Sequence, residues 1–194
     1  MPRPVPEGET HRIAMDDVDL LGLVAMEDMH AFEALYRAYA PRLRRFLRGV
    51  LRQHALVDEV LDDTMLVAWR KAHTFDASSQ VSTWLFAIAY RQAMKAVRRS
   101  DMPLPDPRDE PRAPSDTEPD GTMQRHQLRA RLDATIAQLT PEHRAVIELT
   151  YFHGHGCKEI AEIVGCPVAT VKTRMFYARR RMKTLLGDAG AEAL

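Results

Sequence analysis

The sequence predicts an all-α protein with two small helical domains joined by a proline-rich acidic linker. In both halves apolar residues recur at helical spacings of three and four, and no stretch shows the strict alternation of a strand. Between the halves, "DMPLPDPRDEPRAPSDTEPDGT" holds six of the twelve prolines and has too little apolar surface to pack. The chain therefore divides into an acidic extension (1–28), a first domain (29–100), the linker (101–122), a second domain (123–187) and a tail (188–194).

Charge alternates along the chain, although its 27 basic residues equal its 27 acidic residues. The first domain has 12 basic and six acidic residues, and residues 123–194 have 11 and seven. The extension and the linker each have two basic and seven acidic residues. Because electrostatic potential acts locally, each basic domain can meet nucleic acid through its own face despite the neutral total.

The chain has no segment that predicts export or membrane insertion. Its longest uninterrupted apolar run, "WLFAIAY", is seven residues, and "MPRPVPEGET" lacks the apolar centre of a secretory signal. We therefore expect a cytoplasmic protein without membrane insertion, in which Cys157 and Cys166 are free thiols.

The first domain opens with a helical pattern that continues across Pro41. Because proline removes a backbone donor, the pattern predicts either one kinked helix or two helices. The apolar positions are Phe32, Leu35, Tyr36, Tyr39, Leu43, Phe46, Leu47 and Val50.

The segment "LVDEVLDDTMLVAW" predicts a helix with one apolar and one acidic face. The apolar side has Val57, Val60, Leu61, Thr64 and Ala68. The opposite side has Asp58, Glu59, Asp62 and Asp63. Either this face is simply solvated, or it binds a basic partner, since no lysine or arginine lies four positions on to pair with the carboxylates.

A third helix is expected from about Ser82 to Arg99, after a turn at "HTFDASSQ". One face carries Trp84, Ile88, Arg91 and Lys95 with Arg98 beside it, and the core side carries Leu85, Ala89, Ala93 and Ala96. An aromatic ring beside cations is typical of proteins that hold unstacked bases next to a phosphate backbone. The alternative is that Trp84 belongs to the core, where tryptophan is usually found.

The second domain begins with a helical face and a helix start. Leu128, Leu132, Ile136 and Leu139 share the face. Thr140 is a good N-cap and Pro141 suits the first helical position, so a new helix is expected there, with Val146, Ile147 and Thr150 before "YFHGHG" ends it.

The segment "IAEIVGCPVATVKTRMFYARRRM" has the spacing of a helix-turn-helix. Ala161 is small enough for the helix contact, Gly165 can adopt the positive φ of the turn, and Val171 can fill the shared core. Pro167 starts the second helix. The outward positions of that helix are Ala169, Thr170, Lys172, Thr173, Phe176 and Tyr177. The basic residues Arg179, Arg180, Arg181 and Lys183 follow them. This pattern predicts DNA binding; the alternative is a helical bundle with a solvated basic tail.

The stretch "HGHGCKEIAEIVGC" contains residue types that bind metals. Its His153, His155, Cys157 and Cys166 straddle a turn and a helix-turn-helix, however, and zinc fingers usually pair ligands two to four residues apart. We therefore expect neither a metal nor another cofactor.

Five blocks together resemble the extracytoplasmic-function (ECF) sigma factors of bacteria. They are "FEALYRAYAPRLRRF", "VDEVLDDTMLVAWRKAHTFD", "VSTWLFAIA", "LTPEHRAVIEL" and "EIAEIVGCPVATVKTRMFYARRRM", in the order of the family's conserved regions. The resemblance implies a non-enzymatic subunit that binds core RNA polymerase. It also implies that the first domain reads the minus-ten element, that the second reads the minus-thirty-five element, and that an anti-sigma factor is a partner.

The resemblance also implies roles for individual residues. It implies that core polymerase is bound by Asp58, Glu59, Asp62 and Asp63. It implies that a flipped base is captured and the strands are opened by Phe75, Asp76, Ser79, Trp84, Ile88, Arg91, Lys95 and Arg98. It implies that the minus-thirty-five element is contacted by Thr170, Lys172, Thr173, Arg174, Phe176, Tyr177, Arg180 and Arg181. The acidic linker matches a segment that the family threads through the nucleic-acid channels of polymerase.

Three positions depart from the family pattern. Many members have asparagine at Arg91 and a basic residue at Tyr177, so the promoter sequence cannot be transferred. The usual serine is replaced by Gly156, which is a weaker helix cap. Two other function classes fit less of the chain. An autonomous helix-turn-helix regulator leaves the acidic helix and Trp84 unexplained, and a DNA-cutting enzyme needs a nucleophile or a carboxylate cluster near the basic face.

Overall fold

The computed structural model describes residues 16–100, 132 and 134–186, and within them it contains helices and no strand. Residues 134–137 are helical ahead of α5, a 3₁₀ turn (Ala72–Thr74) follows α3, and a π-helical turn (Glu148–Phe152) follows α5. The predicted all-α class is confirmed. The linker (101–122), Leu128 and the tail (188–194) lie outside the described residues. The helices are α1 (Asp17–Ala25), α2 (Met29–Val50), α3 (Leu56–Lys71), α4 (Val81–Ser100), α5 (Pro141–Ile147), α6 (Cys157–Val164) and α7 (Val168–Leu186).

Helix α2 is a single helix, which settles the choice left open by Pro41. It starts at Asp28, whose carboxylate accepts hydrogen bonds from the backbone N–H groups of His30 (2.8 Å) and Ala31 (3.0 Å). Pro41 lies within the helix and is exposed, so water can satisfy the carbonyl that the proline leaves without a donor. The predicted apolar face is largely buried, with Leu35, Leu43, Phe46, Leu47 and Val50 fully covered.

Helix α1 lies within residues 1–28, where the sequence predicts only an acidic extension. Asp17–Ala25 packs against α2 and buries Leu20, Leu21 and Val24. The Tyr39 hydroxyl donates a hydrogen bond to the Asp17 carboxylate and ties the two helices together. The helix is only nine residues long, so its apolar stripe is too short to stand out from an acidic segment.

Helices α3 and α4 start and end within about two residues of the predicted positions, and their predicted apolar faces are buried in the core of the first domain. The buried residues of α3 include Val57, Val60, Leu61, Thr64 and Ala68. Those of α4 include Leu85, Ala89, Ala93 and Ala96.

The second domain contains the predicted helix-turn-helix, formed by α6 and α7. Thr140 caps α5 by accepting a hydrogen bond from the His143 N–H at 3.3 Å. Gly165 ends α6 with φ of 66°, in the left-handed region that favours glycine. Val171 is fully buried between the helices.

The two domains are in direct contact. Helix α6 packs along α4, α5 packs against α2, and the buried apolar residues form one continuous core across both domains. The Arg144 guanidinium donates a hydrogen bond to the Val50 carbonyl at 2.5 Å, across 94 positions of the chain.

Candidate polymerase and nucleic-acid interfaces

The acidic face of α3 lies on the outer surface of the first domain. Asp58, Glu59 and Asp62 are exposed and Asp63 is half-buried, whereas the opposite side of the helix is buried. The amphipathic arrangement predicted from the sequence is therefore present.

Neighbouring helices supply cations to part of this face. Arg44 of α2 pairs with Asp58 at 2.9 Å, and Arg99 of α4 lies 3.6 Å from Glu59. Asp62 instead accepts a hydrogen bond from the Tyr36 hydroxyl at 3.3 Å. The pairs join different helices, so spacing along α3 could not reveal them. Exposed pairs of this kind are weak and can exchange for a stronger basic partner.

A groove of about 550 Å³ runs beside α4 and contains all five predicted α4 residues. Two of its other residues, Lys71 and Thr74, come from the end of α3 and the turn after it. Sequence reasoning missed these, because only the packing of α3 on α4 brings them alongside. The lining residues are Val67, Lys71, Thr74, Trp84, Ile88, Arg91, Gln92, Lys95 and Arg98.

The aromatic and apolar members of the groove form its floor. Trp84 is half-buried and meets Phe75 edge-on, with ring centroids 5.7 Å apart. Ile88 is only 3% exposed, so it supports the floor rather than projecting from it. Trp84 was expected either in the core or beside the cations of the groove. Its ring does both, because it packs on the core and still borders the groove. Arg91, Lys95 and Arg98 are exposed along the rim.

The loop between α3 and α4 is ordered by Asp76. Its carboxylate accepts hydrogen bonds from the hydroxyl (2.7 Å) and the N–H (3.0 Å) of Ser78, and these bonds lower the pKa of Asp76. Ala77 has φ of 57°, so the chain reverses sharply here. Phe75 is half-buried against the core, and Ser79 is half-buried at the other end of the loop.

Helix α7 presents an exposed polar and aromatic face. Lys172 and Thr173 are exposed near its start, and Phe176 and Tyr177 are 61% and 52% exposed. The rings of Phe176 and Tyr177 lie 5.5 Å apart, so they form one exposed aromatic pair. The basic residues Arg179, Arg180, Arg181 and Lys183 are exposed further along the helix, and Thr170 is half-buried at its start.

Arg174, which the resemblance assigns to the upstream element, does not share this exposed face. It is half-buried, and within the described residues its Nη1 has no hydrogen-bond partner. Its charge acts on Tyr90 of α4, whose pKa is raised by burial and partly lowered again by Arg174. Arg174 therefore faces the first domain.

The cysteines and histidines do not converge. Cys157 is exposed, Cys166 is half-buried, and both are free thiols. The described residues bring no three His, Cys, Asp or Glu side chains close enough to hold a metal ion. Among the helices of the described ranges, none has the length and apolar character needed to cross a bilayer.

Comparison with known proteins identifies the family of this chain. The family model for Sigma-70 region 2 matches residues 35–102, and that for Sigma-70, region 4 matches residues 129–182. Together the two matches cover more than half of the chain. The ECF RNA polymerase sigma factor RpoE of Cereibacter sphaeroides is 34% identical over 80% of this chain and 86% of its own length.

The chain belongs to the ECF sigma factors. The sigma factor is also 31% identical to the ECF RNA polymerase sigma factor SigM of Mycobacterium tuberculosis, over 88% of this chain and 85% of that one. Among solved structures it resembles CnrH in complex with the cytosolic domain of CnrY, with 25% identity and a TM-score of 0.65. That likeness covers 88% of this chain and 96% of CnrH.

Membership fixes the general activity of the molecule. As a sigma factor it directs core RNA polymerase to promoters and initiates transcription, and promoter DNA and core polymerase are its partners. The region 2 match covers most of α2 and all of α3 and α4, which an autonomous helix-turn-helix regulator would not need. The regulator alternative is therefore not favoured.

Proposed function

We propose that the sigma factor divides its work among three surfaces: α3 binds core polymerase, the α4 groove binds and opens the minus-ten element, and α7 reads the minus-thirty-five element. The observation that carries this division is the separation of charge in the first domain. Exposed carboxylates lie on α3, whereas exposed cations line the rim of the α4 groove. Opposite potentials suit a basic protein partner on one face and a polyanion on the other.

The groove has the chemistry for an unpaired strand. Arg91, Lys95 and Arg98 can follow the phosphates, while Trp84 offers a ring against which a base can stack. The ordered loop at Phe75, Asp76 and Ser79 borders Trp84 and is placed to receive a flipped base. Flipping costs a few kcal/mol of stacking and pairing, which these contacts can offset.

Helix α7 has the form of a recognition helix. Lys172 and Thr173 lie near its start, where side chains of a helix-turn-helix reach base edges in the major groove. Arg180 and Arg181 lie about two turns further along, where phosphates are the available partners. In this proposal Phe176 and Tyr177 contact sugars or thymine methyl groups, and Arg174 takes no part.

Three further properties belong to the proposal. The chain works in the cytoplasm, it catalyses no reaction of its own, and an anti-sigma factor restrains it. The structural likeness to CnrH bound to the cytosolic domain of CnrY supports the last of these.

The experiment is a binding and transcription assay with purified core polymerase. Replacing Asp62 with arginine puts a positive charge on the exposed acidic face, at the cost of only the long, exposed hydrogen bond from Tyr36. Because the change makes a favourable pairing repulsive, core affinity should fall at least about tenfold. Promoter-specific transcription should fall with it at limiting sigma factor.

The matched control is Asp19→Arg, a charge reversal at an exposed position of α1 in the same domain. It should bind core polymerase as the parent does. If Asp62→Arg and Asp19→Arg bind core equally well, α3 is not the polymerase surface.

A further inference from the structure

The acidic face of α3 and the cationic groove of α4 meet at one ion pair. Glu59 belongs to the acidic face, and the guanidinium of Arg99, near the end of α4, lies 3.6 Å from its carboxylate. Each of the two side chains is 54% exposed, so a partner in solution can reach both of them. Because exposed ion pairs contribute little to stability, this pair can open without disturbing the fold.

Arg99 continues the row of cations that forms the rim of the groove. Arg91 and Lys95 lie on this rim, and Arg99 follows Lys95 by four positions. Residues four apart on a helix are neighbours on the same side, so the three side chains leave α4 in one line. Arg98, next to Arg99, also lines the groove. The spacing therefore places Arg99 with the DNA-binding cations, whereas its guanidinium contacts the acidic face.

The antiparallel packing of α3 on α4 brings the two surfaces together at this point. Lys71, at the end of α3, lines the groove together with Trp84, near the start of α4. The Glu59–Arg99 pair joins the start of α3 to the end of α4. One seam between the two helices thus runs from the groove to the acidic face, and the ion pair lies at its far end.

The backbone at Arg99 is held in place, whereas its side chain can change partner. The Ser100 hydroxyl donates a hydrogen bond to the side-chain carbonyl of Gln53 at 3.1 Å, which ties the end of α4 to the loop before α3. A change of rotamer moves an arginine guanidinium without moving its helix. Arg99 can therefore leave Glu59 and reach a phosphate beside Lys95, one turn away.

Polymerase and DNA need opposite members of this pair. A polymerase cation that binds Glu59 weakens the attraction of its carboxylate for Arg99. A phosphate that binds Arg99 likewise leaves Glu59 available to polymerase. Because such linkage is reciprocal, each partner raises the affinity for the other by the same factor.

We propose that Arg99 is a further phosphate-binding residue of the minus-ten groove, that Glu59 holds it away from DNA in the free chain, and that polymerase binding at Glu59 releases it. The inference rests on the division of surfaces proposed above. It gives the sigma factor a direct physical link between binding polymerase and binding DNA.

The first test is a double-mutant cycle in the free full-length chain, with a short oligothymidylate as the probe. Phosphate contacts carry no sequence information, so the probe needs no promoter sequence. Glu59→Gln should raise the affinity for the probe about two- to fivefold, which is the effect of opening one exposed ion pair. It should also steepen the salt dependence by about 0.7 units of slope, as one new contact to a single strand does.

The second half of the cycle separates release of Arg99 from a general loss of negative charge. In the Arg99→Gln background, Glu59→Gln removes the same charge and has no arginine to release. Its gain in affinity should therefore be about two- to fivefold smaller there, and the salt slope should stay parental. A purely long-range effect of charge would instead give the same gain in both backgrounds.

The matched control is Glu33→Gln. Glu33 pairs with Arg37 on α2 at 2.5 Å, and both side chains are exposed. The substitution makes the same change in net charge and releases an arginine that lies outside the lining of the groove. The affinity for oligothymidylate and its salt slope should remain parental.

The holoenzyme provides the second measurement. On a template with a preformed bubble, Arg99→Gln should shorten the lifetime of the complex about two- to fivefold, because polymerase has released this arginine for DNA. Arg37→Gln removes an exposed cation of the same domain and should leave the lifetime unchanged.

Three results would overturn the proposal. The first is an additive cycle, in which Glu59→Gln gains as much affinity with Arg99→Gln as without it. The second is an equal gain from Glu33→Gln. The third is an Arg99→Gln holoenzyme whose complexes last as long as those of the parent. Equal core binding by Asp62→Arg and Asp19→Arg would instead count against the proposed function, and the cycle, which needs no polymerase, would still decide whether Glu59 holds Arg99.

Discussion

Lys172 and Arg174 lie two positions apart on α7, and their side chains have different surroundings. Lys172 is exposed, whereas Arg174 is half-buried towards Tyr90. Two positions on a helix are about 200° apart, so both cannot face the same partner. The family resemblance assigns both residues to the upstream element. The helical angle could have separated them, but the partner of Arg174 depends on domain docking, which no local pattern encodes.

Lys172→Ala should reduce transcription from promoters that depend on the upstream element. A good base contact contributes ~1–3 kcal/mol of discrimination, so the loss should be sequence-specific. The measurement is transcription from paired promoters with and without a minus-thirty-five element. Lys183→Ala, which removes an exposed lysine near the end of the same helix, is the control.

Arg180→Ala with Arg181→Ala should act differently on the same helix. Because phosphate contacts carry no sequence information, affinity should fall evenly across promoters. The salt dependence of binding should flatten by about one unit of slope per lost contact. If the arginine pair changes promoter preference and Lys172 does not, the order of roles along α7 is reversed.

Helix α4 shows how much of a single element can be predicted from the spacing of its apolar and charged residues. Its ends, its buried alanine-rich side and its cationic side all follow from spacing in the sequence. Ile88 does not: it lies on the cationic side by angle, yet it is 3% exposed and belongs to the buried core. The missing information is the position of the neighbouring helix. The same holds for α1, whose short apolar stripe has meaning only against α2.

Trp84→Ala should impair strand opening more than closed-complex formation. Removing the ring takes away the stacking surface of the groove while Arg91, Lys95 and Arg98 remain, so duplex binding should persist. Permanganate footprinting at the minus-ten element measures opening, and a template with a preformed bubble should restore much of the activity.

The control for this change is a second tryptophan. Trp69 is half-buried on α3, and its ring packs on Phe32 at 5.0 Å, outside the groove. Trp69→Ala should cost stability without a specific loss of opening. Equal opening defects in the two variants would assign the effect to a weakened fold rather than to the groove.

At the scale of the whole molecule, the sequence predicts two domains but not their docking. The Arg144–Val50 contact spans 94 positions, and neither residue type signals the other. Burial and the nearby Arg52 lower the pKa of Arg144 to about 10, and its shortest hydrogen bond goes to Val50 of the first domain. Gly49 was likewise unremarkable in the sequence, because its role depends on Glu148 of the other domain.

Docking should weaken as the pH falls. The pKa of His153 is lowered to about 4 by burial and by the nearby His155, Arg42 and Arg45. Burial also lowers the pKa of His155, although Glu159 opposes this shift. An exposed imidazole has a pKa of ~6.5, so protons bind the open form preferentially. The docked form is therefore favoured fully above pH ~6.5 and progressively less towards pH ~4.

The measurement is the radius of gyration of the free chain between pH 7.5 and pH 5, where we expect expansion on acidification. His153→Gln keeps a polar side chain that cannot titrate and should flatten the profile. A constant radius for the parent, or the same profile for both proteins, would show that His153 does not couple docking to pH.

The bond between Arg144 and Val50 joins two parts of one polypeptide, so its strength is set by effective concentration rather than by the amount of protein. An interface too weak to hold two separate chains together can therefore stay closed at any dilution. The same self-complementary surfaces can also meet between molecules. At sufficiently high protein concentration, the second domain of one copy can dock on α2 of another and form an exchanged dimer.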